Sequence, residues 1–198
     1  IANEGPVPLR GGPIVILHLV PFSSYETGAG IDVQAFYDTI MRIPLIHDCG
    51  SSVRRNFDGV LRYDSTGTIL GYVQFFRSGS IEAVCSFPNR FLTRYEAGLE
   101  ISLRWMEDRL RLILPRYLSM FRDVQIEEPA FLFLTIIGVN GAYFNDSRFI
   151  EGPEIIDRDL LNVPAILIED FAASPKEVLK EAFDILWQAS GHVGSPGS

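Results

Sequence analysis

Lysine is almost missing from this 198-residue chain: Lys176 and Lys180 are the only two, and every other cationic side chain is an arginine. That scarcity excludes several kinds of machinery. No glycine-rich loop ends in Lys-Ser or Lys-Thr, so there is no P-loop cradle for nucleotide phosphates. No strand carries the lysine that a nuclease would set beside paired carboxylates. Histidine and cysteine are nearly as scarce. His18, His47, His192, Cys49 and Cys85 are too dispersed for zinc-ligand spacing, so neither a metal nor a cofactor is expected. Two cysteines cannot build a disulfide scaffold, which fits a reducing, cytoplasmic setting. Long hydrophobic runs are absent too. The longest, Pro129 to Val139, falls well short of the ~20 residues that span a bilayer. No signal peptide is recognised, and no membrane partner is expected.

What the chain does have is apolar bulk and negative charge. Hydrophobic residues make up 47% of it, enough to build a substantial core in one domain. Acidic residues outnumber basic ones 25 to 17, for a net charge of −8. An acidic average opposes wrapping of a phosphate backbone, although a focused arginine patch could survive within it. The Pro/Gly-rich stretch 1–13 reads as a linker from an upstream element, residues 14–191 as the domain, and 192–198 as a tail.

Hydrophobic patterning sketches the elements. Ile14 to Val20 is a β-branched run without polar alternation, suited to a strand buried on both faces, and Pro21 ends it. Asp32 caps an amphipathic helix carrying Val33, Phe36, Tyr37, Ile40 and Met41. Residues 45–55 show no period and read as loop. The segment 54–87 spells a three-strand antiparallel meander, with turns at Ser65 to Gly67 and Ser78 to Gly79. Thr93 and Glu96 have the spacing of a capping box for a long helix holding Leu99, Leu103, Met106, Leu110 and Leu114 on one face. Glu100 stands four residues before Arg104 on that helix, and Pro115 is expected to kink or break it. Pro129 to Tyr143 predicts another strand with a bulge or turn at Gly138 and Gly141, and 164–168 a last one. Ser174, Pro175 and Glu177 open a final helix that Gly191 terminates. The expectation is a single α+β domain: a mainly antiparallel sheet of five or six strands, packed by about three helices.

Candidate sites are few, and each has a structural alternative. Arg54 and Arg55 precede the meander, and Arg62 and Arg77 lie on or at the end of its strands; together they could line a phosphate-contacting surface. The plainer reading is a solvated face with ion pairs to Asp58, Asp64 and Glu82. Tyr72, Phe75 and Phe76 could stack on bases, though an aromatic-rich strand is more often core. His47, Asp48 and Cys49 place three reactive side chains in one loop, where a histidine could activate the thiol. Neighbours in sequence rarely aim at one reacting atom, and no catalytic residue is assigned. His18, inside the first strand, reads as a histidine bonded to backbone or a carboxylate. Glu151, Glu154, Asp157 and Asp159 read as a solvated acidic stretch.

Several strings are distinctive: Pro6-Val7-Pro8-Leu9, Leu17-His18-Leu19-Val20-Pro21-Phe22, Asn56-Phe57-Asp58-Gly59, Tyr72 to Ala83, Leu114 to Leu118, and Ile168-Glu169-Asp170-Phe171. They resemble the region that follows the Schlafen-like, Alba-type DNA-binding domain in a family of bacterial proteins. The resemblance covers most of the chain and implies a DNA-binding domain upstream in the same protein. No functional residue of that upstream domain has a matching position here. The implied role is a non-catalytic accessory, interaction or regulatory module, with self-association a further expectation. A nucleic-acid contact through Arg54, Arg55, Arg62 and Arg77 is the alternative, and an enzyme using the His47 to Cys49 loop a third reading.

Overall fold

A computed structural model describes residues 5–25, 31–47, 50–65, 67–145 and 154–197. In chain order the elements are β1 (Ile14–Pro21), α1 (Val33–Ile40), β2 (Ser51–Arg55), β3 (Gly59–Asp64), β4 (Gly71–Phe76) and β5 (Ile81–Ser86). There follow β6 (Leu92–Tyr95), β7 (Gly98–Ile101), α2 (Leu103–Asp123), β8 (Ala130–Ile137), β9 (Ala142–Phe144), β10 (Leu160–Asn162), β11 (Ile166–Ile168) and α3 (Pro175–Gln188). Eight strands form one antiparallel sheet in the order β10-β8-β1-β5-β4-β3-β2, with β11 also pairing β8. A small sheet, β6-β7-β9, contains a parallel pair between β7 and β9.

The α+β class with a mainly antiparallel sheet matches the sequence reading, and so does the meander β3-β4-β5. Its second turn closes with the Gly79 N–H on the Phe76 carbonyl, Gly79 having φ +91°. The first turn includes Thr66, outside the described residues. The sheet is larger than five or six strands because its added members are short. The three-residue β10 carries too little pattern to stand out, and its pairing with β8 defines it, whereas β11 is the last strand expected at 164–168, shortened to three residues. Residues 51–55, expected as loop, form the edge strand β2 for the same reason.

The helical layer also departs from expectation. Two long helices, α2 and α3, carry it, and α1 has only eight residues. Asp32 does cap α1, accepting from the Gln34 N–H at 2.8 Å. The Thr93/Glu96 spacing opens no helix: β6 and β7 form a hairpin there, α2 starts at Leu103, and Leu99 and Glu100 lie in a strand. Gly98 explains the override. Its φ is +148°, and a Cβ there would sit 2.5 Å from the Gly141 carbonyl oxygen, so the backbone fits a close strand contact. Pro115 neither breaks nor ends α2. It is exposed, while Ile113, Leu114, Tyr117 and Leu118 around it are buried. Their burial outweighs the ~3 kcal/mol local cost of an interior proline.

One face of the large sheet carries the helices and the main core, with Val15, Leu17 and Leu19 of β1 facing Leu110, Phe121 and Phe183 in a single cluster. The opposite face buries Ile14, Ile16, Leu61, Tyr72 and Val84 under Val7. Residues 5–13, expected as linker, therefore lie on the sheet, tied by Arg10 N–H to the Ile69 carbonyl and by Ser86 Oγ to the Arg10 carbonyl. The expected tail is also packed: Ser195 Oγ donates to Glu107, and His192 Nε2 lies 3.0 Å from the Phe144 carbonyl oxygen. Beyond Val7 and Leu9, this second face carries the exposed Phe22, stacked on the half-buried Phe131 at 5.0 Å with the half-buried Phe133 beside it.

Candidate functional site

Strand geometry decides the fate of the arginines. Successive side chains of a strand point to opposite faces, so Arg54 and Arg55 of β2 cannot serve one surface. Arg54 lies on the face with Tyr63, its guanidinium 5.4 Å from that ring centroid, and donates to the Pro6 carbonyl at 2.7 Å. Arg55 turns toward α1, over the Tyr37 ring at 3.9 Å, and donates to Gln34. Arg62 bonds Ser51 Oγ and the carbonyls of Ile40 and Met41, finishing the last turn of α1. Arg77 donates to the Phe57 carbonyl. All four bond within the chain, mostly to carbonyls; Arg54, Arg55 and Arg77 are exposed and Arg62 is half-buried. The aromatics do not form a stacking surface with them: Phe75 is buried against Phe36 and Phe121, and Tyr72 donates to Glu82.

Glu82 instead belongs to a chain of polar groups on the second face. Tyr72 Oη donates to Glu82 Oε1 at 2.7 Å, and His18 Nε2 is 2.9 Å from Oε2. Burial opposes ionisation of Glu82, but the hydrogen bonds from His18 and Tyr72 and the histidine charge outweigh it and hold the carboxyl below its ordinary range. Burial first, then the Glu82 charge, pushes the Tyr72 phenol well up. His18 thus pairs with a carboxylate, as the sequence suggests, although its side chain is 38% exposed.

His47 makes the densest constellation. Its imidazole is 4% exposed, Asp64 is 2% exposed and Cys85 fully buried. Nε2 lies 3.1 Å from Asp64 Oδ2, and Nδ1 lies 3.6 Å from Cys85 Sγ, which also reaches the Ser86 carbonyl at 3.2 Å. Three strands supply this site: Asp64 ends β3, Cys85 is in β5, and the ring crosses Gly71 of β4, where a Cβ would lie 3.3 Å from Nδ1. The chain carrying His47 is held by Arg109, donating to the Ile46 and Leu45 carbonyls, and by Tyr117, donating to the Pro44 carbonyl. Burial, with Cys85 as second cause, raises the Tyr117 phenol. A carboxylate, an imidazole and a thiol in line form a path for one proton. Asp48 and Cys49, the partners that sequence proximity suggests for His47, lie outside the described residues. Sequence reading missed Asp64 and Cys85 because they are 17 and 38 residues away; alternation in the meander puts both on the helix-covered face, which was the available signal.

Glu107 is the other sealed carboxyl. Trp187 Nε1 donates to it at 2.6 Å, Ser195 Oγ at 3.1 Å, and Arg111 pairs at 3.4 Å. Burial raises its carboxyl despite these partners. Of the acidic stretch, Glu151 lies outside the described residues, Asp157 pairs with Arg158, and Glu154 to Asp157 line an open groove against α3. Among the described residues no group of three His, Cys, Asp or Glu side chains is disposed to hold a metal, and no helix is long and apolar enough to cross a membrane. Comparison with family models, with curated proteins and with solved structures returned no match to this chain.

Proposed function

We propose that this chain is a non-catalytic interaction module, the accessory domain of a bacterial protein whose DNA-binding part is of the Schlafen-like, Alba type. The observation that carries this reading is the division of the sheet. Its helix-covered face buries the Asp64, His47 and Cys85 side chains together, and its other face carries the exposed Phe22 stacked on the half-buried Phe131, with the half-buried Phe133 beside it. Aromatic clusters that reach solvent at one edge in this way mark contact surfaces. Residues 5–13 cross that same face, so a domain joined ahead of them in a longer chain is delivered beside it. Direct binding of nucleic acid is disfavoured by the net charge of −8 and by guanidinium groups already bonded on opposite sides of the sheet.

Titration of the protein with labelled duplex and single-stranded DNA at low salt tests this reading, and no saturable binding is expected. Saturable micromolar binding that falls steeply with salt and is lost in Arg54→Ala/Arg55→Ala would overturn it in favour of a nucleic-acid contact. A second arm supplies the DNA-binding domain of the full-length gene product separately. Phe133→Ser should abolish its association with this chain, and an unchanged affinity would remove the second face from the proposal.

A further inference from the structure

Apart from any partner, the line Asp64, His47, Cys85 has the composition of an activated thiol site. Nε2–H donates to the Asp64 carboxylate at 3.1 Å, which turns Nδ1 toward Cys85 Sγ at 3.6 Å. In that tautomer Nδ1 can accept the thiol proton, once it leaves the Ser86 carbonyl to which Sγ donates at 3.2 Å. Asp64 is the positioning residue: it fixes the ring and stabilises the imidazolium formed when the proton moves. The site is closed, since Cys85 has no exposure and His47 beside it is 4% exposed. It lies, however, at the open end of the hairpin β2-β3, where β2 is the sheet edge and Ser65 N–H meets the Gly50 carbonyl. Edge hairpins open locally at less cost than the whole domain. An opening of that size admits small molecules, and the Asp64 carboxylate disfavours anionic ones.

We propose that Cys85 is a modification site for a small neutral oxidant of the peroxide class, with His47 as its proton acceptor. Sulfur attacks one peroxide oxygen as the thiol proton passes to His47 Nδ1; the S–O bond forms and the O–O bond breaks. The departing hydroxide takes the proton back from the imidazolium and leaves as water. The thiol is oxidised by two electrons to a sulfenic acid, and the peroxide is reduced to water and the sulfenic oxygen. The reaction is stoichiometric and independent of the interaction reading.

The test is hydrogen peroxide treatment of the folded protein, with a dione trap for sulfenic acid and peptide mass spectrometry to separate Cys85 from Cys49. Cys85 should be labelled at a rate independent of urea below the unfolding transition. Labelling that tracks global unfolding overturns the proposal. His47→Asn separates chemistry from cover: loss of the proton acceptor should slow Cys85 labelling by about 100-fold, whereas loss of a mere lid would speed it. An unchanged or faster rate in folded His47→Asn refutes the assignment. Should that variant not fold, Asp64→Asn, which leaves the ring in place, should slow labelling about tenfold through lost orientation; the urea dependence of the unaltered protein decides if neither folds.

Discussion

Gly71→Ala puts the ring-over-glycine arrangement to a quantitative test. Gly71 stands opposite Cys85 in the β4-β5 ladder, and a Cβ there would lie 2.4 Å from the Val84 carbonyl oxygen and 3.3 Å from Cys85 Cα and His47 Nδ1. Real Cβ atoms essentially never approach within 3.0 Å, so the backbone must part by roughly 0.6 Å in the centre of the sheet. Overpacking of this kind costs about 1–3 kcal/mol. Weakening a ladder hydrogen bond and the His47 to Asp64 contact adds about 1–2 kcal/mol. Against this stands a gain of about 0.4–1 kcal/mol from a stiffer unfolded chain. The expected net loss is about 1–5 kcal/mol, a large share of the ~5–15 kcal/mol of a typical domain. Urea unfolding followed by far-ultraviolet circular dichroism measures it. Gly11→Ala, where nothing lies within 4 Å of the added carbon, is the control and should be neutral. A Gly71→Ala midpoint equal to that of the control would refute the strand contact and the placement of His47 over it.

Glu82 and Glu107 make opposite contributions to the pH dependence of stability. Glu82 is held low, so its contribution is present above the ordinary glutamate range and is lost as pH falls through its folded value. Glu82→Gln should therefore be less stable near neutrality and lose less on acidification, and urea midpoints with an unaltered acid limb would contradict this. Glu107 is held high, so its contribution is present below the ordinary glutamate range and is lost as pH rises through its raised folded value. Glu107→Gln should flatten that decline, whereas a steeper one would contradict the assignment. Trp187→Phe removes the 2.6 Å bond to Glu107 and should cost about 1–3 kcal/mol in the same assay, because the carboxyl is left sealed without that donor; a loss below about 0.5 kcal/mol would show that the bond contributes little.

The sequence by itself determined the elements whose signals are local and strong. The β-branched run Ile14 to Val20, with His18 its one polar residue, became the central strand β1 because its apolar side chains are buried on both faces. Turn residues at Ser78 and Gly79 with flanking alternation defined the meander, and Pro175 with Glu177 marked the start of α3. Tertiary structure alone decided what lacks a local signature. The short pieces β2 and β10 are strands because a neighbour supplies their hydrogen bonds. Thr93 to Glu96 reads as a helix start, yet Thr93 to Tyr95 lie in a strand and Glu96 in the hairpin turn, because pairing with β7 prevails over a cap. Burial of the residues around Pro115 carries α2 through a proline that local rules would make a break. The site follows the same division. Neighbouring arginines suggest a patch until the pleat sends Arg54 and Arg55 to opposite faces. His47 points to Cys49 in sequence, yet finds Asp64 and Cys85 in space, because strand pairing brings side chains 17 and 38 residues distant to one ring.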